Sequence, residues 1–541
     1  MRDSSALAVS AVDIDLSLQP RGVPEGALVA LFQPLPFLLV AGGDVRLEVS
    51  PVTKMNVYGC RPAPRAQALA FSSSTATSIS ERAYNCALLA RDELIRDSIK
   101  KGFLEAFDKR IEHMRHRLTS CLELNGSGTE VVFSPSGTDS QLHALFICRT
   151  LFDAPVSCVV VGADQTGSGT AHTSRGRHFS NLTAQGKEVE KGGPIAGPFD
   201  DTPSIGISLF ASDGTVRSES EIDAAVIEAV AEQIRMGRNI VLQAMDSSKL
   251  GWCAPSDACL REVNSRWPQA VQIVIDACQM RIGRPRLREY LNRGYVVLIT
   301  GSKFFTGPAF SGASLWSKSL SEGIVTLSKA PGGLADYATC FDMPLHWTSL
   351  RAELPFAPNF GQWLRWEAAL EEMRAYYALP EPYRSSTLAR LADAAIAAIL
   401  SSQHLELLME HDACVGAFDE DTPATIFPFF IRRDGRLLEL DEMTRIYHAL
   451  NCDLSGACPD TATREERALA ATPCHIGQPV KLPGGTVLRI GISARIVSEA
   501  WSEDERIAKA NLRALIAQIG TVVKKIDLIV ATNAHLERPS E

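Results

Sequence analysis

An acidic residue and a lysine each follow a buried-looking strand in the segment VIDACQMRIGRPRLREYLNRGYVVLITGSKFFTGP. Asp276 closes the apolar run AVQIVID, and Lys303 lies three positions after the end of the apolar run YVVLIT. Between positions 276 and 303 lies one short helical pattern, LREYLNRG, which is enough for a single β-α-β crossover. Ligands of open α/β sheets bind outside the carboxyl ends of the strands. The spacing therefore predicts that this carboxylate and this amine face one crevice.

A carboxylate and an amine in one crevice are what pyridoxal phosphate (PLP) chemistry requires. The lysine forms a Schiff base with the aldehyde of the cofactor. The acid keeps the pyridine nitrogen protonated, so that the ring can accept electrons from the substrate α-carbon. Asp276 and Lys303 on their own would also fit a buried ion pair or two exposed strand ends.

Neighbouring segments supply groups that suit the phosphate of PLP. In SPSGTDSQLHAL, Gly137 and Thr138 lie in a tight turn that opens a helix, where backbone N–H groups bind anions. Thr300 and Ser302 add short hydroxyl groups beside Lys303. The SGTD segment alone would also fit an ordinary helix cap. Taken together, the segments favour a PLP site.

Five motifs in one order resemble the fold-type I PLP-dependent enzymes, in particular the class V aminotransferase/cysteine desulfurase branch. SPSGTDS is similar to the family's phosphate turn, AMDSSKLGWCAPS to its NNETGxxxP loop, and DACQ to its DAAQ segment. TGSKFFTGPAFSG is similar to SxHKxxGPxGxG, and LRIGISA is similar to the VRxS strand of the C-terminal domain. The resemblance covers roughly residues 65–520.

The resemblance assigns a role to individual residues. It implies that Asp276 faces the pyridine nitrogen and that Lys303 holds the cofactor. It places Ser248 and Gln279 near the ring oxygen. It also implies that Arg489 binds the substrate carboxylate, for which a guanidinium fork is suited in geometry and charge.

The same resemblance implies a PLP-dependent transferase or lyase that acts on an α-amino acid or a derivative with a carboxylate, and a homodimer. Transamination, β- or γ-elimination or replacement, and carbon–carbon bond formation all remain open, because they begin at the same carbanion. A cysteine desulfurase or selenocysteine lyase-type activity is an alternative. A protein of this fold that has lost activity and serves in binding or regulation is a second alternative.

Some positions depart from the family pattern. The slot for a residue that stacks on the cofactor ring holds Gln165, and His172 lies further along the chain. Cys458 and Cys474 lie near the place of the reactive desulfurase cysteine, but neither occupies the aligned slot. Lys249 is a rival to Lys303 for the covalent link, although it lacks the flanking hydroxyl and the following Gly-Pro turn.

The elements that must position these residues form two patterns. Runs rich in β-branched residues alternate with helical patterns, which is typical of a mostly parallel sheet with helices on both faces. After about residue 380 the order becomes helix, strand, helix, strand, as in a small α+β domain. The sequence predicts an N-terminal extension at 1–64, a large PLP-binding domain at 65–375 and a small C-terminal domain at 376–541.

Composition limits the class of protein. The chain has 541 residues, 45% of them apolar, and a formal net charge of −9, which argues against a nucleic-acid partner. Thirteen scattered cysteines without a CxxC pair predict reduced thiols and a cytoplasmic location. We expect no membrane span, because Gln33, Pro34 and Pro36 interrupt the most apolar early stretch. His113 and His116 lack a nearby cluster of further ligands, so no metal site is predicted.

Overall fold

A computed structural model of the protein describes residues 27–72, 76–195, 202–408 and 423–532. Its strands are β1 (Leu69–Phe71), β2 (Glu130–Ser134), β3 (Val156–Val161), β4 (Ser204–Ile207), β5 (Asn239–Met245), β6 (Val271–Asp276), β7 (Val296–Thr300), β8 (Gly312–Trp316), β9 (Leu405–Leu407), β10 (Ile426–Arg433), β11 (Arg436–Leu437), β12 (Cys474–Leu482) and β13 (Gly485–Gly491).

Helices make up most of the remaining regular structure. They are α1 (Ala27–Leu31), α2 (Leu35–Val40), α3 (Glu81–Lys101), α4 (Phe103–Cys121), α5 (Gly137–Phe152), α6 (Thr170–Thr173), α7 (Glu219–Arg235), α8 (Asp257–Arg266), α9 (Arg284–Asn292), α10 (Lys318–Val325), α11 (Thr348–Glu353), α12 (Phe360–Tyr377), α13 (Glu381–Ser401), α14 (Leu440–Leu450), α15 (Arg464–Ala471), α16 (Ala494–Ala500) and α17 (Glu505–Thr532). No helix in the described ranges combines the length and the apolar character needed to cross a bilayer.

A mostly parallel sheet forms the core of the large domain. Its strand order is β2-β8-β7-β6-β5-β3-β4, and β8 runs antiparallel to both of its neighbours. The pairs β3–β4, β3–β5, β5–β6 and β6–β7 are parallel. Runs such as VSCVVV and VVLIT are buried along their whole length, as expected for strands covered on both faces. The predicted sheet type is confirmed.

Helices cover both faces of this sheet. The chain passes along the sheet in one direction from β2 through α5 to β3. It passes in the opposite direction from β4 through α7, α8 and α9 to β7. Because crossovers between parallel strands are right-handed, the two directions place α5 on one face and α7 to α9 on the other. The carboxyl ends of β2, β5, β6 and β7 therefore lie at one edge, beneath the amino end of α5.

A second sheet builds the C-terminal domain. Its order is β1-β12-β13-β10-β11, and β9 pairs with β10. Helix α13 packs against α17, and α14 packs against β12 and β13, which gives the expected α+β pattern. β1 pairs in parallel with β12. This short strand thus lies in the C-terminal sheet, although the predicted division placed residues 69–71 in the large domain.

The segment before residue 65 is attached to the large domain. The guanidinium of Arg365, which is buried on α12, donates hydrogen bonds to the carbonyl oxygens of Leu39, Ala41 and Gly42 at 2.6–3.1 Å. These bonds satisfy the carbonyl groups at the end of α2, which has no intrahelical partner for them. This part of the predicted extension is therefore anchored to the domain that carries the candidate site.

Candidate active site

Cys278 joins three of the segments that the sequence singles out. Its backbone N–H donates to Oδ1 of Asp276 at 3.1 Å, and its carbonyl oxygen accepts from Oγ1 of Thr300 at 2.7 Å. A Cβ atom built on Gly137 would lie only 2.7 Å from the Cys278 sulfur. Burial and then Asp276 raise the pKa of the Cys278 thiol, whereas Lys303 lowers it. The acid, the amino end of α5 and the segment that leads to the lysine therefore meet at Cys278.

Two hydrogen bonds hold the Asp276 carboxylate at the end of β6. Nε2 of Gln141 donates to Oδ2 at 3.1 Å, and the Cys278 N–H binds the other oxygen. The amide of Gln141 is itself fixed, because its Oε1 accepts from the hydroxyls of Thr170 and Thr173 at 3.0 and 3.1 Å. Gln141 was not predicted from the sequence. The signal was its position one turn after Gly137 on the same helix.

The amino end of α5 has free donors for an anion. Ser136 caps this helix through its hydroxyl, which accepts from the N–H of Asp139 at 3.3 Å. The N–H groups of Gly137 and Thr138, in the first turn, have no intrahelical partner. Within the described residues, the hydroxyls of Thr138 and Ser302 also make no hydrogen bond. The hydroxyl of Thr300, in contrast, donates to the Cys278 carbonyl and holds this residue in place.

Lys303 projects from a loop that is tied to both domains. The loop closes on itself through Gly301 N–H to the Ser311 carbonyl and Gly307 N–H to the Gly301 carbonyl, both at 2.9 Å. The carbonyl oxygen of the next residue, Phe304, accepts from the N–H of Ala494 at 2.9 Å, at the start of α16. The lysine is therefore positioned where the large domain meets the small one.

These residues fit PLP. The free N–H groups of α5 and the hydroxyls of Thr138 and Ser302 suit a phosphate, and the absence of a Cβ at Gly137 lets Cys278, which binds Asp276, pack against this turn. Burial raises the pKa of Asp139 in the same turn to about 7. A carboxyl that is partly protonated at neutral pH repels a phosphate less than a full anion would.

Ser248 and Gln279, which were predicted to lie near the ring oxygen, already make hydrogen bonds with residues close to them in the chain. The Ser248 hydroxyl accepts from the N–H groups of Leu250 and Trp252 at 3.0 and 3.1 Å, so it closes its own turn. Oε1 of Gln279 accepts from Arg281 at 2.9 Å. Ser247, which precedes Ser248, was not predicted as a site residue. Its hydroxyl is buried and has no hydrogen-bond partner among the described residues.

Arg489 reaches the site from β13 of the small domain. Its guanidinium donates to the Lys249 carbonyl at 3.0 Å and twice to the Gln478 carbonyl at 3.0 and 3.2 Å. A guanidinium has five N–H groups, so two remain for a ligand. Burial lowers the pKa of Arg489 to about 10, so the side chain keeps its charge at neutral pH.

The two candidates for the ring-stacking position lie in different surroundings. Gln165 follows β3 and is buried, and its Oε1 has no partner among the described residues. His172, on α6, lines a surface cavity of about 490 Å³ together with Arg175 and Arg177. Burial and then nearby Lys and Arg side chains lower the pKa of His172. Gln165 is therefore the better placed of the two for contact with a ligand at the strand ends.

The two cysteines considered for desulfurase chemistry donate to carbonyl groups of the small domain, Cys474 to Thr472 at 3.5 Å and Cys458 to Leu454 at 3.7 Å. Cys474 begins β12 and is buried, and burial raises the pKa of its thiol to about 11. A thiol with such a pKa is protonated at neutral pH and is a poor nucleophile. Cys458 lines a separate cavity of about 210 Å³ beside Lys525 and the end of α17.

The contact between Gly137 and Cys278 leads to a prediction. Gly137→Ala should weaken PLP binding about tenfold, because overpacking of this kind costs about 1–3 kcal/mol, and the strain lies where the phosphate would bind. PLP titrations monitored by absorbance would measure this. The double variant Gly137→Ala/Cys278→Ala should recover most of the loss. Equal losses in the single and double variants would show that the two residues are not in contact.

The likenesses of this chain to known proteins are distant. No protein-family model and no curated protein matches the sequence. Among solved structures, tryptophan decarboxylase from Catharanthus roseus matches at 13% identity over 86% of this chain and 84% of that chain, with a TM-score of 0.47. A NifS-like protein matches at 11% identity over 84% and 99%, with a TM-score of 0.47. The cysteine desulfurase CsdA from Escherichia coli matches at 13% identity over 86% and 96%, with a TM-score of 0.46.

The fold assignment rests on the strand order. The large domain is an α/β domain with a mostly parallel sheet, and a small α+β domain follows it. The residues that meet at the strand ends, and not these distant likenesses, provide the case for an activity.

Proposed function

We propose that the protein is a PLP-dependent transferase or lyase that acts on an α-amino acid or a derivative with a carboxylate. One observation carries the proposal: Cys278 contacts the amino end of α5 and Asp276, and its carbonyl accepts from Thr300, three residues before Lys303. An anion-binding helix end, an acid and an amine are thus combined in one pocket. A buried ion pair would need only the last two.

In this proposal, each group has a defined task. The N–H groups of Gly137 and Thr138 and the hydroxyl of Ser302 hold the phosphate, and Lys303 holds the cofactor covalently. When bound, PLP supplies an electron sink for a carbanion at the substrate α-carbon. The Asp276 carboxylate, oriented by Gln141, presents a negative charge to the pyridine nitrogen.

The remaining residues act on the substrate. The amine of Lys303 is the general base and acid that moves a proton at the α-carbon. The two free N–H groups of Arg489 bind the substrate carboxylate as a fork. Since Arg489 lies in the small domain and Lys303 in the large one, docking of the two domains aligns the carboxylate with the base and excludes water from the reacting carbon.

Purified protein with added PLP provides the test. We expect visible absorption that remains after gel filtration. Reduction with borohydride should fix the cofactor to the peptide that contains Lys303, as read by mass spectrometry. A protein that takes up no PLP, or whose cofactor is fixed to another lysine, would overturn the proposal. We also propose a homodimer, from the family resemblance, and light scattering would measure its mass.

The cysteines provide a prediction that separates desulfurase activity from the proposed range. We expect that Cys458→Ala and Cys474→Ala each change the rate of α-proton exchange on a responsive amino acid by less than about twofold. We also expect no sulfide release from cysteine, because both thiols donate to carbonyl groups of their own small-domain segments. Sulfide release that disappears in one of these variants would instead establish the desulfurase alternative.

A further inference from the structure

Lys249 lies in the turn that follows β5 and faces the small domain. The turn is rigid, because the Ser248 hydroxyl accepts from two backbone N–H groups and the Ser248 N–H donates to the Trp252 carbonyl at 2.7 Å. The Lys249 carbonyl accepts from Arg489 at 3.0 Å. The backbone of this lysine is thus fixed directly against the residue proposed to bind the substrate carboxylate.

The Lys249 amine is a cation without a counter-charge in the described part of the chain. Its side chain is only partly exposed, and it makes no hydrogen bond or ion pair with a described residue. The charges that act on it are those of Arg489 and Lys303. Burial and then these two cations lower the pKa of Lys249 to about 8. Cations that are withdrawn from water without an anion destabilise a protein, so such an arrangement suits a site that receives an anion.

A substrate with a single carboxylate would not bind all three cations, Arg489, Lys303 and Lys249. The carboxylate at the end of β6, Asp276, accepts from Gln141 and from the Cys278 N–H, and the carboxylate of Asp246, just after β5, lies 3.5 Å from the Arg286 guanidinium. The two free N–H groups of Arg489 are enough for one carboxylate, and Lys303 is committed to the cofactor. The Lys249 amine then remains for a second negative group.

We propose that the substrate carries a second anionic group, at the end of its side chain, and that Lys249 binds it. The inference rests on the proposed function and narrows its substrate class to amino acids whose side chain ends in a carboxylate or another oxyanion. Lys249 is a specificity residue in this account, and Lys303 remains the residue that holds the cofactor.

Binding of acids that lack an amino group tests the proposal without any turnover. Calorimetry on the full chain, with and without PLP, would compare succinate and glutarate with butyrate. We expect at least one dicarboxylate to bind about tenfold more tightly than butyrate, since hydrogen bonds to charged groups are the stronger ones. Lys249→Met should remove this preference, and Lys249→Arg should keep it. Lys318→Met, at an exposed lysine on α10, is the matched control and should bind like the unmodified protein.

The pattern of losses separates the alternatives. If Lys249→Met weakens butyrate and the dicarboxylates equally, Lys249 serves the first carboxylate and the proposal is wrong. Equal binding of both acid types to the unmodified protein would also overturn it. Loss of folding is not the expected reason for an effect, because removal of a cation from beside two others should leave the melting temperature equal or higher.

Amino acids added to the PLP-loaded protein give a second, independent readout. Half-saturation of the spectral change should come at about tenfold lower concentration for aspartate or glutamate than for asparagine or glutamine. In Lys249→Met the two series should coincide. PLP uptake without any preference for acids would reject this inference and leave the proposed function standing, whereas failure to take up PLP would reject the function itself.

Discussion

Lys303→Ala will remove the covalent link between the protein and PLP and will lower α-proton exchange on the substrate by about 10³-fold. The reason is geometric, since Lys303 follows Thr300, whose hydroxyl donates to the Cys278 carbonyl, and the Cys278 N–H donates to Asp276. Loss of the amine removes both the covalent anchor and the proton carrier. Borohydride reduction followed by mass spectrometry measures the first effect. Exchange of the α-proton in deuterated water, followed by NMR, measures the second for any amino acid that binds.

Lys249→Ala is the matched control for the capture of the cofactor by borohydride. This lysine lies in the neighbouring loop, and its carbonyl binds Arg489 through the backbone, which the substitution leaves in place. We expect PLP to be fixed at Lys303 in this variant just as in the unmodified protein. If the cofactor is instead lost in Lys249→Ala and kept in Lys303→Ala, the roles of the two lysines must be exchanged, and the rival assignment considered from the sequence would be correct.

The central pair of the site could be predicted because its geometry is local. Asp276 and Lys303 end adjacent parallel strands that one short helix connects, and this connection has few possible arrangements. Alternating β-branched runs and helical patterns were likewise sufficient for the fold class. The register of β6 and β7, in which Asp276 pairs with Leu298, places both strand ends at the same edge.

Residues that depend on long-range packing escaped prediction. Gln141 reaches Asp276 only because α5 crosses the sheet over β7 and β6 on its way from the far edge, and the strand order that causes this is not sequential. The engagement of Arg489 with the Lys249 carbonyl depends on how the two domains dock. β1 was missed as part of the C-terminal sheet because a three-residue strand carries almost no pattern of its own.

A side chain is available for a predicted role only if other hydrogen bonds of the fold do not already occupy it. The spacing of Thr300 beside Lys303 suggested a phosphate ligand, but its hydroxyl donates to the Cys278 carbonyl. Ser302, two positions on, has no such partner within the described residues. A sequence shows which hydroxyls are near a lysine, but it does not show which of them the backbone has already engaged.

Asp276→Asn should leave PLP bound at Lys303 but lower α-proton exchange by about 10²–10³-fold. An amide has nearly the same shape as the carboxylate but only one acceptor oxygen, so it keeps one of the two hydrogen bonds from Gln141 and the Cys278 N–H, and it loses the negative charge. Without that charge, a proton on the pyridine nitrogen is no longer stabilised, and the electron sink is weakened at the moment when charge develops. The measurement combines cofactor capture, expected to be unchanged, with the exchange rate.

A milder substitution, at Gln141, tests whether the charge of Asp276, rather than the side chain alone, sets the rate of α-proton exchange. Gln141→Leu removes one hydrogen bond to the carboxylate and keeps its charge, so we expect a loss of only about three- to tenfold. The double variant Gln141→Leu/Asp276→Asn should be no slower than Asp276→Asn alone, because Gln141 acts through this carboxylate and the two effects are not additive. If the losses in exchange rate of the two single variants multiply instead, Gln141 contacts the ligand directly. If Asp276→Asn exchanges protons at the unmodified rate, the acid has no part in the electron sink, and the pair from which the whole assignment began serves only to hold the fold together.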